Sequence, residues 1–123
     1  MIHLDTNFLI QALRPGTVEE TKLRQWLQNG EPPDLSVVAW AEFLCGPLTP
    51  EDEVQAETLF PVIDELQPVD ARKGAELFNE TGRRSRSLAD CLIAAVALRC
   101  GAEVATANRT DFEPFVPHGL RLA

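Results

Sequence analysis

Short apolar runs alternate along this chain with longer segments of helical periodicity. The pattern predicts short strands at residues 1–5, 35–38, 67–69, 103–106 and 120–122. It predicts helices at residues 6–13, 17–30, 50–65, 70–81 and 88–100, and a further helix that contains Glu42 and stops near Gly46. Strands separated by helices indicate a parallel sheet covered on both faces. We therefore expect an α/β protein in three layers, α/β/α, with a central parallel sheet of four to five strands.

Proline and glycine mark several of the predicted helix boundaries. Thr49-Pro50-Glu51 is a strong helix start, because proline fits the first helical position and acids suit the first turn. Pro61 is expected to kink or split the helix that runs towards Glu65. Gly30 and Gly101 are expected to end the helices that precede them.

Three almost wholly apolar segments each carry one ionised group, and in each case it is a carboxylate. These are Asp5 in MIHLDTNFLI, Glu42 in LSVVAWAEFLCG and Asp90 in SLADCLIAAVAL, and Asp111 follows the predicted strand at 103–106. A buried carboxylate without a partner costs several kcal/mol, which suggests a shared cation. Ligands of open parallel sheets bind beyond the carboxyl ends of the strands, an edge that all four acids can reach. Oxygen ligands of this kind select Mg²⁺ or Mn²⁺.

Three of these acids also have a purely structural interpretation. Ser87 and Asp90 match a capping box, Asp5 can cap the helix after the first strand, and Asp111 can begin a short turn with Phe112 packed behind it. Glu42 has no such local role, since it is flanked by apolar residues inside a short helix.

Length and charge limit the possible functions. The chain has 123 residues, 45% of them hydrophobic, which fits one globular domain over residues 1–123. No apolar stretch approaches the roughly 20 residues that span a bilayer, and the first residues lack the pattern of a signal peptide, so we expect no membrane contact and a cytoplasmic location. The net charge of -8 lacks the basic footprint of most nucleic-acid binders. However, a cation held by the carboxylates would reduce the need for Lys and Arg, and an acidic chain favours a basic protein partner.

Cysteine and histidine show no ligand spacing in this sequence. Cys45, Cys91 and Cys100 are odd in number and form no CxxC or Cys/His pattern, so we predict small core residues in a reducing compartment and no zinc site. His3 and His118 are isolated, and we predict packed or surface side chains.

Four segments of the chain resemble the PIN domains, and among them the VapC-type ribonuclease toxins of prokaryotic toxin-antitoxin pairs. The segments are LDTNFLI, AEFLCG, SLADCLIAAVAL and TANRTDF, in the family's order, and the resemblance covers essentially the whole chain. It places the acidic metal-site positions of the family on Asp5, Glu42, Asp90 and Asp111. Its polar supporting positions fall on Thr6, Asn7, Thr106 and Asn108.

The resemblance implies a Mg²⁺- or Mn²⁺-dependent endoribonuclease. One or two ions would activate a water against an RNA phosphodiester and leave 5′-phosphate and 3′-hydroxyl ends. Asp5, Asp90 and Asp111 are the expected ligands, direct or through water, and Glu42 is expected to orient the water or a second ion. The polar supporting residues would fix the carboxylate rotamers.

The resemblance also implies two protein partners, which are a small antitoxin that blocks the acidic site and a second copy of the toxin. For the RNA substrate, Arg83, Arg84 and Arg86 form the densest basic cluster, and Arg109 lies close to Asp111. We hypothesise that these arginines hold RNA phosphates. The alternative is that they form a solvated turn or pair with the many acids of the chain.

Two rival functions belong to other classes. An aspartyl-nucleophile phosphatase would begin with a motif similar to Asp5-Thr6-Asn7, but it needs a second aspartate in place of Asn7 and an active-site lysine. Lys22 and Lys73 are the only lysines, and neither is well placed. The other rival is a non-catalytic domain whose acids bind a basic peptide.

Overall fold

The computed structural model describes residues 1–83 and 88–123. Its sheet has four strands in the order β2-β1-β3-β4, and every neighbouring pair is parallel. The strands are β1 Ile2–Leu4, β2 Asp34–Leu35, β3 Glu103–Ala105 and β4 Arg121–Leu122. The predicted α/β class with a parallel sheet of four to five strands is confirmed.

Helices connect these strands and cover the sheet. Of these, α5 packs along α6, and α1 packs against both α2 and α3. A 3₁₀ segment, Glu113–His118, precedes β4. None of the helices in residues 1–83 and 88–123 has the length and apolar character needed to span a membrane. The helices are α1 Thr6–Ala12, α2 Val18–Gln28, α3 Val37–Leu44, α4 Pro50–Leu59, α5 Pro68–Glu80, α6 Leu88–Cys100 and α7 Arg109–Phe112.

Local capping chemistry sets several helix starts. The side chains of Thr17, Ser36 and Thr49 each accept a hydrogen bond from the backbone N–H three residues later. Pro50 occupies the first turn of α4, as predicted. The break at Pro61 is also confirmed, because α4 ends at Leu59 and does not continue towards Glu65.

Two of the predicted strands were wrong in whole or in part. The strand predicted at 35–38 ends at Leu35, because Ser36 caps α3 and Val37 already belongs to that helix. The strand predicted at 67–69 does not form, since Pro68 begins α5 there. The backbone pairing near this point is instead a single parallel bridge between Ser36 and Asp64. β-branched and apolar runs followed by a cap therefore look like strands in sequence but feed directly into helices.

The helix α6 lies at the centre of the fold. Its first and last residues agree with the prediction, and Gly101 follows it with a φ of 68°. Most residues from Cys91 to Ala97 are buried. The partner helix α5 approaches closely at Gly74, where a Cβ atom would lie 2.6 Å from Cδ2 of Leu92. This packing fixes the start of α6, which carries Asp90, relative to the sheet.

Candidate active site

Asp5 lies at the carboxyl end of the central strand β1. Its side chain is only 3% exposed, and it caps α1 by accepting a hydrogen bond from the Phe8 N–H on Oδ1 at 2.7 Å. Oδ2 accepts a hydrogen bond from Thr106 Oγ1 at 2.5 Å. Burial raises the pKa of Asp5, while these two hydrogen bonds oppose the shift. The capping role anticipated for Asp5 is thus real, but each of its oxygens keeps a lone pair.

Glu42 reaches the site from the second turn of α3. Its Oε1 accepts a hydrogen bond from Thr6 Oγ1 at 2.7 Å. The expectation that Glu42 is enclosed by its apolar neighbours was wrong, because α3 buries Phe43 while Glu42 and Leu44 remain exposed. A hydrated carboxylate needs no internal partner, so burial does not explain the presence of Glu42 here.

Asp90 lies in the first turn of α6. Burial raises its pKa to about 7, and the negative charges of Asp111, Glu42 and Asp5 act in the same direction. The three neighbouring acids therefore share one electrostatic environment with Asp90. The capping-box alternative involves Ser87, which lies outside the described residues.

Asp111 lies in the short helix α7, after β3. Its Oδ2 accepts a hydrogen bond from Asn108 Nδ2 at 3.0 Å, and the backbone N–H of Asn108 donates to Thr106 Oγ1 at 3.0 Å. Phe112 is buried behind the turn, as the structural interpretation anticipated. The loop after β3 thus supports two acids, because Thr106 contacts Asp5 and Asn108 contacts Asp111.

The fold brings the four acids to one open cleft of about 340 Å³. In the part of the chain that the structure describes, no ion pair includes any of these four acids. The carboxylate donors suit a hard divalent cation, and the mutual repulsion that raises the pKa of Asp90 is what such a cation relieves. The lining residues are Asp5, Thr6, Asn7, Ile10, Glu42, Asp90 and Asp111.

The carboxylate oxygens of these acids lie farther apart than they would in a site where every acid contacts the ion directly. Among residues 1–83 and 88–123, the side chains whose ligand atoms all come within 4.8 Å of one another are those of a different group, His3, Asp64 and Cys100. A wider acidic site still suits Mg²⁺, because Mg²⁺ retains several waters and meets protein carboxylates partly through them.

The predicted RNA-binding arginines are only partly described. Arg83 is exposed, has a positive φ of 55°, and donates its backbone N–H to the Phe78 carbonyl at 3.0 Å. Arg84 and Arg86 lie outside the described residues. Arg109 begins α7, and its Nη1 donates to the backbone oxygen of Ala123 at 3.1 Å. The Arg109 side chain is therefore bound to the backbone of Ala123, and its contact with RNA stays a prediction.

Ile10 is a lining residue that sequence reasoning missed. It borders the acidic cleft and also a smaller pocket of about 160 Å³ that includes Arg14 and Phe43. Thr6 and Ile10 are four residues apart within α1, so they lie on one face of that helix. This spacing from Thr6 is the signal that would have found Ile10.

Comparison with the models of known protein families identifies the family of this chain. The model of the PIN domain matches residues 2–113. The chain belongs to the PIN domain family. The resemblance noted from the four sequence segments is confirmed, and the four acids of this PIN domain lie within the matched region.

Solved structures similar to this PIN domain include one described as a toxin-antitoxin complex. FitAcB from Neisseria gonorrhoeae is 26% identical with a TM-score of 0.71, over 100% of this chain and 97% of that chain. A toxin-antitoxin complex from Klebsiella pneumoniae is 22% identical with a TM-score of 0.73, over 92% of this chain and 91% of the other. VapBC2 from Rickettsia felis, bound to a promoter DNA fragment, is 19% identical with a TM-score of 0.73, over 100% and 98%. Comparison with curated protein sequences gave no significant match.

Proposed function

We propose that this PIN domain is a Mg²⁺- or Mn²⁺-dependent endoribonuclease and the toxin of a toxin-antitoxin pair. The observation that carries the proposal is the acidic cleft. Four carboxylates from four separate segments line it, and none of them has an ion-pair partner among the described residues. A fold that gathers negative charge in this way is suited to an external divalent cation.

Asp5, Asp90 and Asp111 are the proposed ligands, directly or through water, and Glu42 is proposed to orient the attacking water or a second ion. When bound, the ion lowers the pKa of a coordinated water and neutralises charge that develops on the phosphate. The expected products carry 5′-phosphate and 3′-hydroxyl ends.

Polar residues in the cleft and beside it donate hydrogen bonds to the carboxylates. Thr106 donates to Asp5, Thr6 donates to Glu42, and Asn108 donates to Asp111. Each donor fixes one oxygen of its carboxylate and so limits the rotamers of that acid before any ion arrives. Asn7 lines the same cleft and is proposed to support it or to contact substrate.

Arginines close in sequence to Asp90 and Asp111 are proposed to bind RNA phosphates. Arg83 is exposed where α5 gives way to the segment that leads to Asp90, and Arg84 and Arg86 follow in that segment. Arg109 is three residues from the start of the loop after β3 and two from Asp111. Because the chain carries a net charge of -8, a few local cations must supply much of its attraction for RNA.

The proposed protein partners are an antitoxin and a second copy of this chain. The similar structures include a toxin-antitoxin complex and VapBC2, which supports the antitoxin. An antitoxin segment that presents a basic side chain to the acidic cleft would neutralise its charge and exclude RNA. Cys45 and Cys100 are free thiols in the part of the chain that the structure describes, which suits the reducing cytoplasm as the proposed location.

Cleavage of total RNA by the purified protein tests the activity. We expect cutting with Mg²⁺ or Mn²⁺ that is lost with EDTA and in the Asp5→Asn and Asp90→Asn variants. Glu57→Gln is the matched control, since Glu57 is an exposed acid on α4 outside the cleft, and this variant should cut normally. Cutting that survives in Asp5→Asn and Asp90→Asn would come from a contaminant or from another site. Binding of a basic peptide without cutting under any metal condition would favour the non-catalytic alternative.

A further inference from the structure

A second group of side chains that can bind a metal shares no residue with the lining of the acidic cleft. It consists of His3 on β1, Asp64 in the segment between α4 and α5, and Cys100 at the end of α6. One ligand atom from each of the three lies within 4.8 Å of the other two. The three residues are far apart in sequence, so their meeting is a product of the tertiary fold.

His3 is the most unusual member of this group. Its side chain is 0% exposed, and neither ring nitrogen makes a hydrogen bond to any residue that the structure describes. Nearly all buried polar groups in proteins have such a partner, and leaving one without a partner costs about 1–3 kcal/mol. The imidazole therefore calls for a specific explanation.

The contact between His3 and Asp64 is slightly shorter than the separation of two ligands that share an ion. Nε2 of His3 lies 3.0 Å from Oδ2 of Asp64 but forms no hydrogen bond with it. This oxygen therefore lies off the direction in which the ring nitrogen would donate a hydrogen bond. In a tetrahedral site with bonds of about 2.0–2.3 Å, neighbouring ligand atoms are about 3.3–3.6 Å apart. Small side-chain adjustments would bring these atoms around a common point.

The surroundings of the group are negatively charged. Asp34 is the register partner of His3 on β2, and burial followed by the charge of Asp64 raises its pKa. Burial, again followed by the charge of Asp64, raises the pKa of the Cys100 thiol. Two cations act on this part of the molecule, the N-terminal amine and Arg99, and Arg99 is already engaged by Asp70 at 2.9 Å and by the Glu65 carbonyl at 3.0 Å. A bound cation would offset the remaining negative charge.

Backbone contacts hold Asp64 in position before any ion binds. Its N–H donates to the Leu35 carbonyl at 2.9 Å, and its carbonyl accepts from the Val37 N–H at 2.8 Å. These bonds fix the residue against the junction of β2 and α3. The side chain of Asp64 is 32% exposed, which gives an ion a route from solvent to the buried imidazole.

We propose that His3, Asp64 and Cys100 form a transition-metal site of the zinc class, distinct from the acidic cleft. One nitrogen, one carboxylate oxygen and one thiolate are the donors that Zn²⁺ and Co²⁺ accept, whereas Mg²⁺ selects oxygen donors. Three protein ligands leave a fourth position for water. The ion ties β1, the connector between α4 and α5, and the end of α6 to one another, so its role is to stabilise the fold. Binding removes the thiol proton of Cys100.

Cobalt is the first probe, because a Co²⁺–thiolate bond gives a charge-transfer absorption band that carboxylates do not. The reduced protein, stripped of metal, is titrated with Co²⁺ in an excess of Mg²⁺, which occupies hard oxygen sites such as the acidic cleft. We expect one equivalent to produce the thiolate band and Zn²⁺ to displace it. Zn²⁺ should also raise the melting temperature by roughly 5–10 °C at a hundredfold excess over its Kd.

Two variants and one control decide the assignment. Cys100→Ala should lose the thiolate band, and Asp64→Asn should keep the fold by circular dichroism and weaken Co²⁺ binding at least tenfold. Cys45→Ala is the matched control, since Cys45 is exposed and lies outside the group, and it should bind Co²⁺ as the parent does. A parent protein without a thiolate band overturns the proposal. So does a band that persists in Cys100→Ala, or Co²⁺ affinity that is unchanged in folded Asp64→Asn. None of these results depends on RNA cleavage.

Discussion

Two aspartates of this PIN domain are almost equally buried but have very different surroundings. Asp70, 1% exposed, accepts hydrogen bonds on its two oxygens from Nε of Arg99 at 2.9 and 3.1 Å, and Oδ2 also accepts the Gln67 N–H. Asp5, 3% exposed, has a hydroxyl and a backbone N–H as hydrogen-bond donors. The fold supplies Asp70 with an internal cation, but it surrounds Asp5 with further acids.

The difference separates a carboxylate with an internal ion-pair partner from one that is proposed to bind a cation. The ion pair of Asp70 and Arg99 joins α5 to α6 and is complete within the chain. Asp5 shares its cleft with Glu42, Asp90 and Asp111, and burial, followed by the charges of Glu42 and Asp111, raises the pKa of Asp5. Burial alone therefore does not mark a carboxylate as a candidate ligand, whereas burial without a compensating charge does.

The largest predicted effect concerns Asp5 itself. Asp5→Asn should lower the rate of metal-dependent RNA cleavage on the order of 10³-fold, because one carboxylate ligand is lost, and a thousandfold corresponds to about 4 kcal/mol in the barrier. Its stability should change by less than about 1 kcal/mol, since asparagine also caps helices. Single-turnover cleavage and urea denaturation measure the two quantities. Normal cleavage by Asp5→Asn would remove Asp5 from the proposed site.

For the ion pair of Asp70 and Arg99 we expect the opposite result, a loss of stability without a loss of RNA cleavage. Arg99→Met leaves Asp70 buried without its cation and should lower the free energy of unfolding by about 2–3 kcal/mol, somewhat less than for a fully buried pair because Arg99 is 29% exposed. The folded variant should keep its RNA cleavage. Arg24→Met is the control, since Arg24 pairs with Glu20 on the surface of α2 and should change stability by less than about 0.5 kcal/mol. Equal losses in the two variants would contradict the comparison.

Thr106 offers a finer test of how the acids are held. Thr106→Val removes the hydrogen bond to Asp5 Oδ2 and the acceptor for the Asn108 N–H. We expect Mg²⁺ affinity, measured by calorimetry, to fall about tenfold. Thr58→Val is the matched control, because Thr58 donates only to the Val54 carbonyl on the exposed helix α4. An unchanged affinity in Thr106→Val would show that Asp5 is held without this hydroxyl.

The smallest predicted effect is a gain of stability. The pKa of Asp90 is about 7 in the folded protein and ordinarily 3.8, so the folded state binds the proton more tightly. The contribution of Asp90 to metal-free stability is therefore present below pH 4 and is lost as the pH rises to about 7. Asp90→Asn should be more stable than the parent by about 1 kcal/mol at pH 8 in EDTA, a figure reduced because solvent screens this half-buried group.

Denaturation in EDTA at several pH values measures this effect. The two proteins should converge as the pH falls towards 4, and saturating Mg²⁺ should reduce or reverse the difference, because the parent alone keeps all four carboxylates. A parent that is more stable than Asp90→Asn at pH 8 without metal would show that Asp90 is stabilised by an internal partner.

The sequence by itself predicted the α/β class, the bounds of α6, the break at Pro61 and the four acids that meet in the cleft. These features depend on local signals, such as hydrophobic periodicity, proline geometry and a lone charge in an apolar run. Where a local signal was ambiguous, the tertiary structure decided the secondary structure or the exposure of the residue. Residues 67–69 looked like a strand, but Pro68 begins α5, and Glu42 looked enclosed, but α3 turns it towards solvent.

Only the tertiary structure decided which charges are compensated and which side chains meet across long separations. Arg99 reaches Asp70 over 29 residues, and Thr106 reaches Asp5 over 101. The sequence predicted no zinc site, because His3, Asp64 and Cys100 show no ligand spacing along the chain. They meet only after folding, which makes β1, the segment between α4 and α5, and the end of α6 adjacent. Sequence patterns report nearest neighbours along one helix or strand, whereas the energy of a buried polar group depends on whichever distant segment is packed against it.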